Sequence, residues 1–146
     1  MRVLLDTSLL ISNFYSPKPT TSATGEVLRV AFNGGFTLLF VEGVAEELYR
    51  KLRERPDLAA RIPLSDAEGL IADMRAIAEI VPRLPEPHPP IGRDRNDDFL
   101  FAHGILAGAD NLVSWDKPLL DLRQIEDVRI VSPSKFLQLL RAAGRL

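Results

Sequence analysis

Apolar positions along the chain fall into two kinds of pattern. Val3, Leu4 and Leu5 form an unbroken apolar run closed by Asp6, and residues 2–6 read as a short strand. Phe36 to Val41 is a second such run. Unbroken runs this short are the mark of strands buried on both faces. Between them, Thr7 to Phe14 opens a helix, and Tyr15 to Ser22 is a loop by its proline, serine and threonine content. From Ser22 the spacing predicts a helix with Val27, Leu28, Val30 and Ala31 on one face and Asn33-Gly34-Gly35 as its stop. Val44, Leu48 and Leu52 recur every fourth residue, which predicts a helix over Gly43–Arg55 ended by Pro56. Ser65 and Glu68 have the spacing of a capping box, with a helix running on to about Ala78. Ile80 and Val81 suggest a short strand, and four prolines between Leu84 and Pro90 exclude regular structure there.

The second half repeats the alternation. Asn96-Asp97-Asp98 supplies a cap and negative charge at a helix start, where both are favourable. That helix reads to Ala107, with Gly108 as its left-handed exit. Asn111 to Ser114 is a strand leading to Asp116, and Val128 to Val131 is another. Ser132-Pro133 opens a last helix, whose buried stripe is Phe136, Leu137, Leu139 and Leu140. Strands alternate with helices and no hairpin signal is present, which predicts a mostly parallel central sheet in a three-layer α/β/α sandwich. At 146 residues the expectation is a single domain over 1–146.

Composition narrows the chemistry. The chain has no cysteine, which excludes thiolate zinc sites, thiol catalysis and disulfides. Its apolar runs are far shorter than the roughly 20 residues a membrane span requires. The N-terminus lacks the flanking features of a signal peptide, so the expected setting is cytoplasmic, away from membranes. Net charge is −2, from 18 basic and 20 acidic side chains. That balance argues against a nucleic-acid binder, but four carboxylates gathered at one site would leave the remainder at +2. Fourteen of the basic residues are arginine, the side chain that pairs with phosphate bidentately.

The acids are the informative feature. Ligands of a parallel sheet bind at the carboxyl ends of its strands. Asp6 ends the first strand, Asp116 follows the strand at Asn111, and Asp97 and Asp98 open the helix leading into it. Glu46 and Glu47 lie early in the helix after the second strand, and Asp94 just precedes the Asp97–Asp98 pair. Each alone reads as a turn, a cap or a solvated face. Gathered at one edge they would repel, and a divalent cation resolves the conflict. Oxygen-only ligands favour Mg²⁺ or Mn²⁺. Such a cation lowers the pKa of bound water and offsets charge on a phosphoryl group, so phosphoester hydrolysis is the expected chemistry.

Leu4-Leu-Asp-Thr-Ser-Leu-Leu-Ile11 resembles the opening of the PIN-domain ribonucleases. The runs Arg93 to Ala102 and Ala107 to Leu120 are similar to that family's second half: an acidic helix start, a Gly-Ala-Asp exit, a strand and a terminal Asp. The nearest subgroup resembles the VapC-like toxins of prokaryotic toxin–antitoxin pairs. The resemblance implies a Mg²⁺- or Mn²⁺-dependent endoribonuclease with RNA as substrate, an antitoxin protein as partner, and a possible homodimer. It implies Asp6, Glu47, Asp98 and Asp116 as the metal set. Glu47 is preferred to Glu46 because it stands five residues before Leu52, and Asp98 to Asp97 because it stands ten before Gly108. Asp94 matches an extra acid of the subgroup, and Ser114 a small hydroxyl residue two before the last Asp. The chain departs from the pattern at Ser8, usually Asn, and at Trp115, usually Gly. An indole at 115 can stack on a base, crowd the metal site, or pack under the C-terminal segment.

Other chemistries fit less well. His88 sits among prolines and His103 inside a helix, with no spacing for a metal pair; His103 reads as a surface or packing residue. Neither a phosphate-binding Gly-x-x-x-x-Gly-Lys loop nor a Gly-x-Ser-x-Gly elbow is present. A haloacid-dehalogenase-like phosphatase needs a second Asp where Ser8 stands, and a receiver domain needs an Asp where Phe36–Val41 is followed by Glu42. A catalytically silent PIN-fold scaffold is the remaining alternative. Arg93, Arg95 and Lys117 flank the acids as candidate phosphate contacts or solvated side chains.

Overall fold

The computed structural model describes residues 1–15, 22–86, 88 and 97–146. Six strands form one sheet: β1 (Arg2–Leu5), β2 (Thr37–Phe40), β3 (Glu79–Ile80), β4 (Asn111–Val113), β5 (Gln124–Ile125) and β6 (Val128–Val131). Their order is β3-β2-β1-β4-β6-β5, with every pairing parallel except β5 with β6. Eight helices are described: α1 (Thr7–Tyr15), α2 (Ala23–Phe32), α3 (Glu42–Glu54), α4 (Pro56–Arg61), α5 (Leu64–Ile77), α6 (Asp98–Leu106), α7 (Lys117–Leu122) and α8 (Pro133–Ala142).

The apolar runs behave as two-sided strands. Val3, Leu4 and Leu5 are all buried, as are Leu38, Leu39 and Phe40. Consecutive burial along a strand requires cover on both faces. The helices supply it in two groups, α2 with α8 and α3 with α4, α5 and α6, while α1 touches both α2 and α3. The result is a three-layer α/β/α sandwich around a mostly parallel sheet. Phe36 and Phe136 meet edge to face within its core, with ring centroids 5.2 Å apart.

Several local signals act as the sequence predicts. The Ser22 hydroxyl accepts from the Gly25 amide at 2.9 Å, and the Ser132 hydroxyl from the Lys135 amide at 3.1 Å. Gly108 takes φ +67° after α6.

Four expectations need correction. Pro56 ends α3 but also opens α4, because its fixed φ suits a first helical position. The Ser65/Glu68 capping box is not formed: α5 starts two residues earlier, with Pro63 rather than Ser65 at its cap, and that cap has no side-chain hydrogen bond. A short helix, α7, follows Asp116 with Pro118 in its first turn. Finally, β5 and β6 form a hairpin where no hairpin is expected. Its two-residue turn, Glu126-Asp127, lacks the glycine or asparagine that normally betrays such a turn, and Glu126 itself takes φ +51°.

The strand order decides where a site can form. The chain steps from β1 to β2 on one side, then returns to place β4 on the other side of β1. This reversal opens a crevice beyond the carboxyl ends of β1 and β4.

Candidate active site at the carboxyl ends of two central strands

Asp6 follows β1 directly and is 6% exposed. Its backbone amide donates to Val113 O at 3.0 Å, which locks the end of β1 to the end of β4. Its carboxylate accepts three hydrogen bonds. Thr7 N donates to Oδ1 at 2.8 Å, while Ser8 Oγ and Ser114 Oγ donate to Oδ2 at 2.7 and 2.8 Å.

Each serine hydroxyl carries one proton and spends it on Asp6. Each oxygen then accepts a backbone amide: Trp115 N to Ser8 Oγ at 3.1 Å, and Asp116 N to Ser114 Oγ at 2.9 Å. The two oxygens lie 3.2 Å apart. Asp6, the start of α1 and the turn after β4 are therefore one connected network. Ser114 is fully buried in it.

Glu47 joins through Thr7. The Thr7 hydroxyl donates to Glu47 Oε2 at 3.0 Å, a shorter contact than its 3.4 Å approach to Val44 O. Glu47 lies on α3 above the end of β2, with Arg50 Nη2 at 3.8 Å and Lys51 Nζ at 3.6 Å from its other oxygen. Neighbouring Glu46 points into a different pairing, with Arg83, whose hydrogen bond raises that guanidinium above its ordinary pKa.

Asp6, Ser8, Glu47, Arg50, Lys51, Asp97, Trp115 and Asp116 line one cavity of about 320 Å³. Four of the lining side chains are acidic and two are basic. Asp98, at the first position of α6, is buried at 4% exposure, and the cavity wall at this point is formed by its neighbour Asp97. Asp94 lies outside the described residues, as do Arg93 and Arg95. Among the described residues, no group of three His, Asp or Glu side chains is assembled closely enough to hold an ion. The carboxylates share a cavity without closing on a common centre.

One positioning residue escapes sequence reading, and a second is read only as a departure from the family pattern. Thr7 reads only as a helix start, yet it bonds both Asp6 and Glu47. Ser8 reads as a departure at one position, yet it supports Asp6 and the Trp115 amide together. Hydroxyls one and two residues after an acid carry no periodic signal that would mark them.

His103 is buried in α6. Its Nε2 accepts from Leu84 N at 3.0 Å and its Nδ1 donates to Phe99 O at 2.6 Å, a pairing that selects the tautomer protonated at Nδ1. It is a packing residue that satisfies the backbone leaving β3. No helix among the described residues is long and apolar enough to cross a membrane.

No curated protein matches the chain at a significant level. The PIN domain family model matches residues 2–118, from the first residue of β1 into α7. Every element that builds the cavity lies inside that span, and PIN domains are generally nucleases. On that match the chain belongs to the PIN-domain family.

Proposed function

We propose that this protein is a metal-dependent endoribonuclease that hydrolyses phosphodiester bonds in RNA and serves as the toxin of a toxin–antitoxin pair. The observation that carries the reading is the shared cavity. Asp6, Glu47, Asp97 and Asp116 come from four separate stretches of chain and line one opening at the switch point of the sheet.

The donor set fits a hard divalent cation in kind, since every acidic group offers oxygen and no thiolate is available. Asp6, Glu47 and Asp116 would hold Mg²⁺ or Mn²⁺ from the cavity wall; the family resemblance names the buried Asp98 as the fourth ligand, while the carboxylate that lines the cavity beside it is Asp97. When bound, the cation supplies a hydroxide at neutral pH and offsets the charge that grows on the phosphoryl oxygens. The chain's own residues do the rest. Thr7, Ser8 and Ser114 keep the Asp6 carboxylate in one orientation. Ser114 also anchors the Asp116 backbone. Arg50 and Lys51 bring positive charge to the cavity wall, where a phosphate would enter.

The test is cleavage of single-stranded RNA by purified protein with Mg²⁺, Mn²⁺ or EDTA. Internal cleavage that requires the metal and disappears in Asp6→Asn, Asp98→Asn and Asp116→Asn is the expected result. Comparing Asp97→Asn with Asp98→Asn shows which of the two supplies the fourth carboxylate. Phosphate release from a small phosphomonoester, without RNA cleavage, would point to a phosphatase instead.

One observation favours a second reading, a catalytically silent binding scaffold. The described acidic groups are not drawn together around a common centre. Absence of RNA cleavage together with absence of metal binding by calorimetry would select it.

The toxin assignment follows from the likeness of the segment 94–120 to that subgroup. It calls for a small partner whose arginine or lysine enters the acidic cavity in place of the cation. A neighbouring reading frame for a short helical or DNA-binding protein that co-purifies with this chain and blocks cleavage would support it. A homodimer belongs to the same proposal and is tested by sedimentation.

A further inference from the structure

Trp115 is the only tryptophan of the chain, and it stands between the buried Ser114 and the cavity-lining Asp116. It is 42% exposed, unusual for so large an apolar side chain beside a sheet core. It is also pinned at two points. Its backbone amide donates to Ser8 Oγ at 3.1 Å. Its indole Nε1 donates to Thr24 Oγ1 at 2.7 Å. Thr24 lies on α2, is only 2% exposed, and is itself 3.3 Å from Ser12 Oγ on α1.

An indole has a single donor, and here that donor is taken by a buried, fixed hydroxyl. What remains for the cavity is an apolar aromatic surface whose orientation is already set. It borders the same opening as Asp6, Glu47 and Asp116. Solvent-exposed and pre-oriented aromatic surface is what a nucleobase stacks on, and its fixed orientation lowers the entropy lost on binding. The alternative of an indole buried beneath the C-terminal segment does not fit its exposure or its bond to α2.

We propose that Trp115 is a stacking platform for one unpaired base of single-stranded RNA, next to the phosphate held in the acidic cavity. The proposal rests on the nuclease reading for the identity of that phosphate. Stacking on any base is sequence-tolerant, so the platform would select unpaired over paired RNA rather than one nucleotide over another.

The single tryptophan makes the test direct. Intrinsic fluorescence is titrated with a short single-stranded oligoribonucleotide, and with the same sequence as a duplex, in EDTA and in Ca²⁺. The single strand should quench the emission and the duplex should not. By fluorescence anisotropy of a labelled single strand, which does not depend on the tryptophan, Trp115→Ala should bind roughly 5- to 150-fold more weakly, with Trp115→Phe close to the parent. Scanning an abasic position along the oligonucleotide should find one site that weakens binding to the parent protein and leaves binding to Trp115→Ala unchanged. Thr24→Val keeps the indole but frees it, and should give an intermediate loss.

Saturable binding without quenching, or abasic costs identical in parent and Trp115→Ala, would overturn the proposal. Cleavage without quenching leaves the nuclease reading standing and ends the platform. Quenching without cleavage in any metal keeps the platform and ends the nuclease. An indole that responds to no nucleic acid, and a protein that binds none, ends both.

Discussion

Ser114 Oγ donates to Asp6 Oδ2 at 2.8 Å, although the two residues are 108 positions apart in the chain. The bond exists because β1 and β4 are neighbours in register, Leu5 opposite Val113, so the residue after each strand meets the residue after the other. Replacing Ser114 with alanine removes the donor to Asp6 and the acceptor for the Asp116 amide at once. Loss of such a supporting hydrogen bond costs about 10- to 100-fold in metal affinity or activity. Stability should fall by about 1–3 kcal/mol, since the group left unpaired is buried. RNA cleavage rates and urea denaturation check the two effects separately.

Thr7 couples two acids from different elements, its amide to Asp6 and its hydroxyl to Glu47. Thr7→Val keeps the amide and the shape but removes the hydroxyl. Calorimetric Mn²⁺ affinity should drop by about 10-fold or more, and Thr7→Ser should restore it. An unchanged affinity in Thr7→Val would show that Glu47 needs no help from Thr7.

Gly43 sets the approach of α3 to α6. A Cβ there would stand 2.6 Å from Phe99 Cε2, far inside contact distance. Gly43→Ala must displace the Phe99 ring, which neighbours Asp98, or tilt α3, which carries Glu47. Overpacking of this kind costs about 1–3 kcal/mol. Thermal unfolding of Gly43→Ala should report that loss, and RNA cleavage should fall with it. Paired with Phe99→Leu, the same substitution should recover part of both.

His103 holds the Leu84 amide. His103→Phe keeps the bulk and leaves that amide without its acceptor, at a cost of about 1–3 kcal/mol. Melting temperature should drop while the rate of RNA cleavage, measured well below the melt, stays near the parent value. A large loss of activity with no loss of stability would assign His103 a part in the chemistry.

Legibility from sequence followed the range of the forces involved. The helix caps at Ser22 and Ser132 and the exit at Gly108 depend on atoms within four residues, and they form as read. The β5–β6 hairpin was hidden because its turn puts Glu126, a residue with a Cβ penalty, in the left-handed region. The ladder to β6 and the Gln124 Nε2 bond to Glu126 O hold the turn, and a ladder is not visible in a four-residue window. The capping box failed for a similar reason: the chain enters α5 through Pro63, two residues earlier than the Ser65 signal requires.

The candidate site divides along the same line. The amino-acid sequence by itself determined which acids sit at strand ends and helix starts, and with them the family, because the order of apolar runs and acids is a one-dimensional property. Only the tertiary structure decided that Asp6, Glu47, Asp97 and Asp116 open on one cavity, that Asp98 turns inward, and that Thr7, Ser8 and Ser114 carry the hydrogen bonds. Which carboxylate reaches the opening depends on the pairing of β1 with β4 and on the seating of α6 against α3, and both come from contacts between residues far apart along the chain.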